Sequence, residues 1–170
     1  MAKADLTAAR LRELLNYDPE TGAFTWIVAQ RPGNGGPAQP GKIAGAIKEK
    51  KYRVIRIDNR LYRANRLAWL YTTGLWPAKF VDHINGDPLD NRITNLRDVD
   101  NRTNSQNQRR ARVDSGTGML GVSWDPSRKK WLSQIKAGNK ALHIGRFTSA
   151  EEAHQAYLVA KRRLHEGCTI

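Results

Sequence analysis

The chain has 170 residues, of which 39% are hydrophobic, enough for one domain of ordinary size or two or three small modules. Its formal net charge of +13 indicates a polyanionic partner, with nucleic acid as the first candidate and a ribosome-associated or merely basic surface as the alternative. The single cysteine, Cys168, excludes an internal disulfide and a Cys-rich zinc site, which favours a cytoplasmic location. The N-terminus lacks the apolar run of a signal peptide, and no stretch approaches the roughly 20 apolar residues of a membrane span, so we expect no membrane partner.

The N-terminal region, residues 1–79, has a mixed helix and strand pattern. Leucines at helical spacing predict a helix over residues 6–15, with Thr7 or Asp5 as the N-cap. The segment YDPETG then predicts a turn, AFTWIV a strand, and QRPGNGGPAQPGK, which is rich in Gly and Pro, a loop.

The second half of this region predicts a hairpin and a helix. KIAGAIKEKKYRVIRID alternates as a hairpin does, and RLYRANRLAWLYTTG has helical spacing with Gly74 as its stop. Three tryptophans are expected in the core: Trp26, Trp69 and Trp76. Four arginines are expected to touch phosphates: Arg53, Arg56, Arg60 and Arg63.

Residues 80–112 predict a strand, a loop, a second strand and a helix. FVDHI and RITNLRDV are the strands, Asn85–Gly86 is a turn signal, and DNRTNSQNQRRAR is the helix with Asp100 as its N-cap. We interpret Asn85–Gly86–Asp87 as a structural turn, and leave Asp90, Asn91 and Asp98 out of the site as solvated loop residues.

Within this unit, Asp82 and His83 have the chemistry for phosphodiester hydrolysis. That reaction needs a base near neutral pKa to deprotonate water and a cation to neutralise charge on the phosphate. A helix packed on the two strands would bring the amide oxygen of Asn104 beside the carboxylate of Asp82. Such hard oxygen ligands favour Mg²⁺ or Mn²⁺ over zinc. Asn101 and Asn107 lie within a turn of Asn104 and remain alternatives.

The string VDHINGDPLDNRITNLR, followed by NRTNSQN, resembles the HNH endonuclease family, in the branch common in phages and homing endonucleases. The resemblance implies a ββα-metal core with His83 as the general base and Asp82 as a metal ligand. It also implies that Asn95 braces the loop and orients the histidine, and that Asn104 is the second metal ligand, where many relatives have histidine. The basic tail of the helix contains Arg102, Arg109, Arg110 and Arg112. We predict that this tail follows the DNA backbone, and an ordinary solvated linker is the alternative.

After a linker at residues 113–119, residues 120–170 predict three strands and a helix capped at Thr148 or Ser149 and ended by Gly167. GVSW, KW, IGRF and EEAHQAY resemble the ethylene-response-factor (APETALA-two type) DNA-binding domain, whose sheet enters the major groove. Strand alternation predicts that Trp131, Ser133 and Ile135 pack under the helix. The candidate DNA contacts, with a solvated basic face as the alternative, are Trp124, Arg128, Lys130, Gln134, Lys136 and His143.

The sequence therefore predicts an α+β, modular protein: an N-terminal region, a nuclease core, and a C-terminal three-stranded sheet packed on one helix. The expected function is metal-dependent nicking of double-stranded DNA by a homing-type enzyme that acts as a monomer on DNA. Two alternatives remain, a DNA-binding regulator with a vestigial nuclease core and an RNA-directed nuclease.

Overall fold

The computed structural model describes residues 5–33, 36–49, 51–111 and 115–170 of the chain. Helices and antiparallel sheets are both present, which confirms the α+β class. The chain divides into two compact units, Met1–Val99 and Asp100–Ile170.

The first unit begins with a helix and a hairpin. Helix α1 (Ala8–Leu14) is capped by Thr7, whose hydroxyl accepts from the Arg10 backbone N–H at 3.1 Å. Leu15 was predicted in this helix, but its backbone is extended and starts strand β1 (Leu15–Asp18), which pairs with β2 (Ala23–Trp26).

The Gly/Pro-rich segment that was predicted as a loop also contains paired backbone, so that prediction was wrong. Strands β3 (Gln30–Gly33) and β4 (Gly36–Ala38) form a two-stranded antiparallel sheet. Both strands of such a sheet are edge strands, where proline is tolerated because its missing N–H need not face a neighbour.

A three-stranded sheet and a helix follow. The predicted hairpin is confirmed as β5 (Ala46–Lys48) and β6 (Tyr52–Ile57), and a third strand, β7 (Arg60–Arg63), precedes α2 (Ala64–Thr73). The helix therefore starts later than predicted. The physical reason is the two-residue turn between β6 and β7, in which Asp58 and Asn59 both have positive φ, the geometry of a type I′ hairpin. Gly74 ends α2 in the left-handed conformation, as predicted.

The core of the first unit combines α1, the β1–β2 hairpin, β6 and α2. Phe24, Leu11 and Ile55 are fully buried. Trp26 is buried, and Trp69 and Trp76 pack partly buried against the same cluster, which confirms their predicted core role.

The last part of the first unit is a hairpin of β8 (Phe80–His83) and β9 (Leu96–Val99), in which Asp82 lies opposite Arg97 and His83 opposite Leu96. The start of the predicted second strand is instead a short 3-10 helix, Ile93–Asn95. This turn redirects the chain from the long loop into β9, because the Asn95 N–H bonds back to the Arg92 carbonyl at 2.9 Å.

The second unit starts with helix α3 (Asn101–Gln106), which Asp100 caps as predicted by accepting from the Thr103 N–H at 2.7 Å. The helix is shorter than the predicted segment up to Arg112. The three predicted strands are present as β10 (Val122–Asp125), β11 (Lys130–Ala137) and β12 (Lys140–Phe147), in that antiparallel order.

Helix α4 (Ala150–Leu164) packs on this sheet. Ser149 and Glu152 form a capping box, as the sequence predicts. The helix ends at Leu164, and not at Gly167 as predicted. Gly167 instead lies so close to the Thr103 carbonyl that a Cβ at this position would be 2.3 Å from that oxygen. Lys161, in the last turn of α4, is buried, and its ammonium donates to the Gln108 carbonyl.

Within the described residues, no helix is both long and apolar enough to cross a membrane.

Candidate active site

Asp82 and His83 lie together at the end of β8, where the strand gives way to the loop, and both are buried. The Asp82 carboxylate is held from the facing strand, because Arg97 donates through Nε at 3.0 Å and through Nη2 at 2.8 Å to Oδ2. Cross-strand pairing with Arg97 thus fixes the position of the carboxylate.

The His83 ring is positioned by Asn91, which was predicted to be a solvated loop residue but is buried. Asn91 is 2% exposed, and its Oδ1 lies 3.3 Å from His83 Nε2. Asn91 Nδ2 donates to the Leu89 carbonyl at 3.1 Å, so its oxygen is the atom that faces the ring. An oxygen acceptor requires Nε2 to carry the proton, which leaves the lone pair of a neutral imidazole on Nδ1.

The buried environment of His83 favours the neutral form of its ring. Burial lowers the pKa of His83, while the hydrogen bond to Asn91 and the charges of Asp82, Asp87 and Asp90 oppose that shift in part. A neutral imidazole can accept a proton from water, as a general base must.

Asn95 ties the two ends of the loop together. Its Oδ1 accepts from the Asn85 N–H at 2.9 Å, and its Nδ2 donates to Asn85 Oδ1 at 3.0 Å and to the Asp90 carbonyl at 2.8 Å. These three bonds run to the loop, whereas the bond to the imidazole comes from Asn91. The side chain of Asn95 therefore holds the loop together, whereas its expected bond to the histidine is made by Asn91.

The loop itself is a structured turn, in line with its interpretation from sequence. Gly86 has a φ of +73°, and Asn85 Oδ1 accepts from the Asp87 N–H at 2.9 Å. Asp90 pairs with Arg92 at 2.6 Å, and chiefly this bond lowers the pKa of Asp90 to about 2.

The N-terminal hairpin supports the loop from behind. The Tyr17 hydroxyl donates to the Asn91 carbonyl at 2.7 Å, and burial raises the pKa of Tyr17 to about 12. Gly22, in the β1–β2 turn, approaches so closely that a Cβ would lie 2.5 Å from the backbone of Asn91 and of Arg92. Only glycine fits this contact.

The protein oxygens near His83 suit a hard cation in type. Asp82 supplies a carboxylate, whose Oδ2 accepts two hydrogen bonds from Arg97. Among the described residues, no group of three or more His, Cys, Asp or Glu side chains gathers around a common point. Carboxylate oxygens are ligands that hard divalent cations accept.

The three asparagines considered as a further ligand lie at the start of the second unit and differ in surroundings. Asn104 is partly exposed on α3, and Asn101 is exposed at its first turn. Asn107 is buried, and its Oδ1 accepts from the Thr169 hydroxyl. Coordination by Asn107 Oδ1 would compete with this bond, which favours Asn104 over Asn107.

The C-terminal sheet has one buried and one exposed face. On β11, Ser133 and Ile135 are buried, as predicted, while Lys130, Gln134 and Lys136 are exposed on the other face. Gln134 pairs with His143 on β12, which places His143 on this exposed face as well.

Trp124 does not share that face. It lies opposite Trp131, with ring centroids 5.0 Å apart, so its ring is on the helix side of the sheet although it is 47% exposed. Arg146, which was not among the predicted contacts, lies opposite Leu132 on the exposed face. Arg146 donates to Asp125 at 3.1 Å and to His143 Nε2 at 2.8 Å. His143 and Arg146 are three residues apart and share this face only because the strand pairing is irregular between Ser133 and Gln134, which simple alternation does not predict.

The remaining predicted contacts are exposed side chains. Arg128 lies 3.7 Å from Asp125, and Arg109 donates to the Thr169 carbonyl at 2.9 Å. Arg102 and Arg110 are exposed, and Arg112 lies outside the described residues.

The four arginines of the first unit that were predicted to touch phosphates separate into two groups. Strand register puts Arg56 and Arg63 on the outer face of the β5–β7 sheet, where Arg63 stacks 4.5 Å from the Tyr52 ring centroid. Arg53 instead donates to the Gly45 carbonyl at 3.2 Å, and Arg60 pairs with Asp5 at 3.4 Å.

Comparison with known proteins gives two matches. A family model described as HNH endonuclease matches residues 62–107, a segment that contains Asp82, His83, Asn91, Asn95 and Asn104. "Protein 3.8" of Escherichia phage T7 is 33% identical over 85 residues, which cover 48% of this chain and 69% of that protein. No solved structure matches the chain.

The chain belongs to the HNH endonuclease family. The matched segment starts upstream of Phe80 and includes α2, whose Asn65 donates to the Val81 carbonyl at 3.1 Å. Enzymes of this family are nucleases that generally use a divalent metal.

Proposed function

We propose that this protein is a homing-type HNH endonuclease that nicks double-stranded DNA with the help of one divalent cation. The observation that carries the proposal is the pair Asp82–His83 at a buried strand end, with Asn91 directing the His83 Nε2–H away from the base position. A strongly basic chain with a net charge of +13 suits a polyanionic substrate.

In this proposal, His83 is the general base. Its Nδ1 takes a proton from water, and the resulting hydroxide attacks the phosphorus and displaces the 3′ oxygen, leaving 5′-phosphate and 3′-hydroxyl ends. Burial lowers the pKa of the ring, which favours the unprotonated form that a general base needs. Arg97 holds Asp82, and Asn95 holds the loop that carries Asn91.

Asp82 and Asn104 would hold the cation, Mg²⁺ or Mn²⁺. When bound, such an ion supplies positive charge to the scissile phosphate and to the leaving oxygen. One nuclease site per chain implies one cut strand per protein, acting as a monomer on DNA.

The DNA is proposed to contact exposed basic faces in both units. In the second unit this is the outer sheet face with Lys130, Gln134, Lys136 and His143, which would serve as a DNA-binding surface of the ethylene-response-factor type. In the first unit, Arg56 and Arg63 extend from the outer face of the β5–β7 sheet. Arg102, Arg109, Arg110, Arg112 and Arg128 add phosphate contacts.

A supercoiled-plasmid assay tests the catalytic proposal. We expect wild type with Mg²⁺ to convert supercoiled DNA to the nicked form, and EDTA or His83→Ala to abolish the conversion. If wild type and His83→Ala leave the natural target equally intact, the chain is a DNA-binding regulator. If RNA competes better than duplex DNA, the substrate is RNA.

The salt dependence of DNA binding tests the first-unit contacts. Each lost phosphate contact lowers the slope of log K against log salt by about 0.9. The double variant Arg56→Ala/Arg63→Ala should therefore lower it by about 1.8, whereas Lys42→Ala, an exposed cation elsewhere in the unit, should leave it unchanged. An unchanged slope in the double variant would exclude this face.

A further inference from the structure

Asn91 is held from several directions at once. It is 2% exposed, its amide bridges His83 and the Leu89 carbonyl, and its own carbonyl accepts from the Tyr17 hydroxyl at 2.7 Å. A residue anchored through both side chain and backbone has little freedom to rotate, so the atom it presents to the imidazole is fixed.

We propose that Tyr17 and Asn91 form a positioning relay that sets the tautomer and ring orientation of His83. The inference rests on the proposed function, because it concerns the same histidine as base. A neutral imidazole has one N–H, and the partner of one nitrogen decides which nitrogen keeps the lone pair. The Asn91 oxygen selects the Nε2–H form, so that Nδ1 accepts the proton from water.

The relay extends to the N-terminal hairpin. Tyr17 is 6% exposed on β1, and its ring packs against Phe24 with centroids 4.8 Å apart. The turn of the same hairpin contacts the Asn91 backbone through Gly22. The hairpin therefore does more than complete the core: it fixes the position of the loop residue that orients the base.

The acceptor on Asn91 is the specific requirement of this relay. Asn91→Leu keeps the approximate side-chain volume but removes both the oxygen that faces His83 and the donor to Leu89. Tyr17→Phe is a gentler change that removes one hydroxyl and keeps the ring. Tyr71→Phe is its matched control, because Tyr71 lies in the same aromatic cluster, 5.6 Å from the Tyr17 ring.

The experiment combines nitrogen-15 NMR of the imidazoles with cleavage kinetics, both on the full chain. The protonated and unprotonated ring nitrogens have well-separated shifts, and the four histidines can be assigned by substituting His83. At pH 8, where an ordinary imidazole is neutral, we expect wild-type His83 as a single Nε2–H tautomer. Asn91→Leu should populate the Nδ1–H form and lower kcat on the order of 100-fold, with KM for DNA unchanged.

Tyr17→Phe should lower kcat by roughly threefold to tenfold, the equivalent of one hydrogen bond, while Tyr71→Phe should leave both readouts unchanged. Tyr17→Phe keeps the test decisive if Asn91→Leu does not fold. An Nδ1–H tautomer in the wild type would overturn the proposal, and so would an unchanged tautomer and kcat in a folded Asn91→Leu protein. An Nε2–H tautomer that Asn91→Leu shifts, in a wild type that cleaves no DNA, would support the relay and reject the nuclease function.

Discussion

The role of the Asn95 side chain in holding the loop can be tested by substituting it. Asn95→Ala deletes three hydrogen bonds, of 2.8, 2.9 and 3.0 Å, at a side chain that is 7% exposed. Each bond contributes about 1 kcal/mol net. The sum is about 3 kcal/mol, and because Asn85 is exposed and its atoms can bind water instead, we expect a loss of about 2 kcal/mol.

The assay is urea unfolding at equilibrium, with the midpoint and the slope measured separately. Asn95→Ala should lower the midpoint without changing the slope, because the surface exposed on unfolding stays the same. The control is Thr94→Ala, a neighbouring residue whose side chain is exposed, which should change stability by less than about 0.5 kcal/mol. If Asn95→Ala costs no more than Thr94→Ala, Asn95 does not hold the loop and the reasoning is wrong.

Three further stability predictions concern other parts of the chain, each measured by denaturant unfolding. Gly121→Ala should lower the free energy of unfolding by about 3 kcal/mol or more, since its Cβ would lie 2.0 Å from the Tyr157 ring. The control Gly118→Ala, whose Cβ would have nothing within 4 Å, should lower it by about 1 kcal/mol, and equal losses would refute the clash. Ser149→Ala should cost about 1 kcal/mol through the lost capping box, and an unchanged midpoint would contradict this. Burial raises the pKa of Tyr17 from 10.0 to about 12, so this group's contribution is present below pH 10 and is lost as pH rises toward 12. The free energy of unfolding of the wild type should exceed that of Tyr17→Phe by about 1 kcal/mol at pH 8. This difference should vanish near pH 11, because ionisation of the tyrosine in the unfolded chain offsets it by about 1.4 kcal/mol. A difference that stays constant with pH would refute the raised pKa of Tyr17.

Local signals in the sequence were sufficient where a residue acts on its near neighbours. Asp100 caps α3 and Ser149 with Glu152 caps α4, because a cap depends on a side chain and on N–H groups three residues away. Alternation likewise predicted that Ser133 and Ile135 are buried, since side-chain direction in a strand has a fixed period.

Predictions failed where a tight turn or a distant contact overrode a local preference. Arg60–Arg63 has helical spacing, but the turn at Asp58 and Asn59 commits these residues to pair with β6. Lysine is rarely buried, yet Lys161 is, because its ammonium donates a hydrogen bond to the Gln108 carbonyl, 53 positions earlier.

The candidate site shows the same division. The acid, the histidine and the spaced asparagines can be read from the residue types and their intervals alone. That Asn91, and not Asn95, faces the imidazole, and that the Tyr17 hydroxyl bonds to the Asn91 carbonyl, follows from the folded arrangement. The reason is that a side chain's partner depends on which distant segments pack together, and Tyr17 and Asn91 are 74 positions apart in sequence.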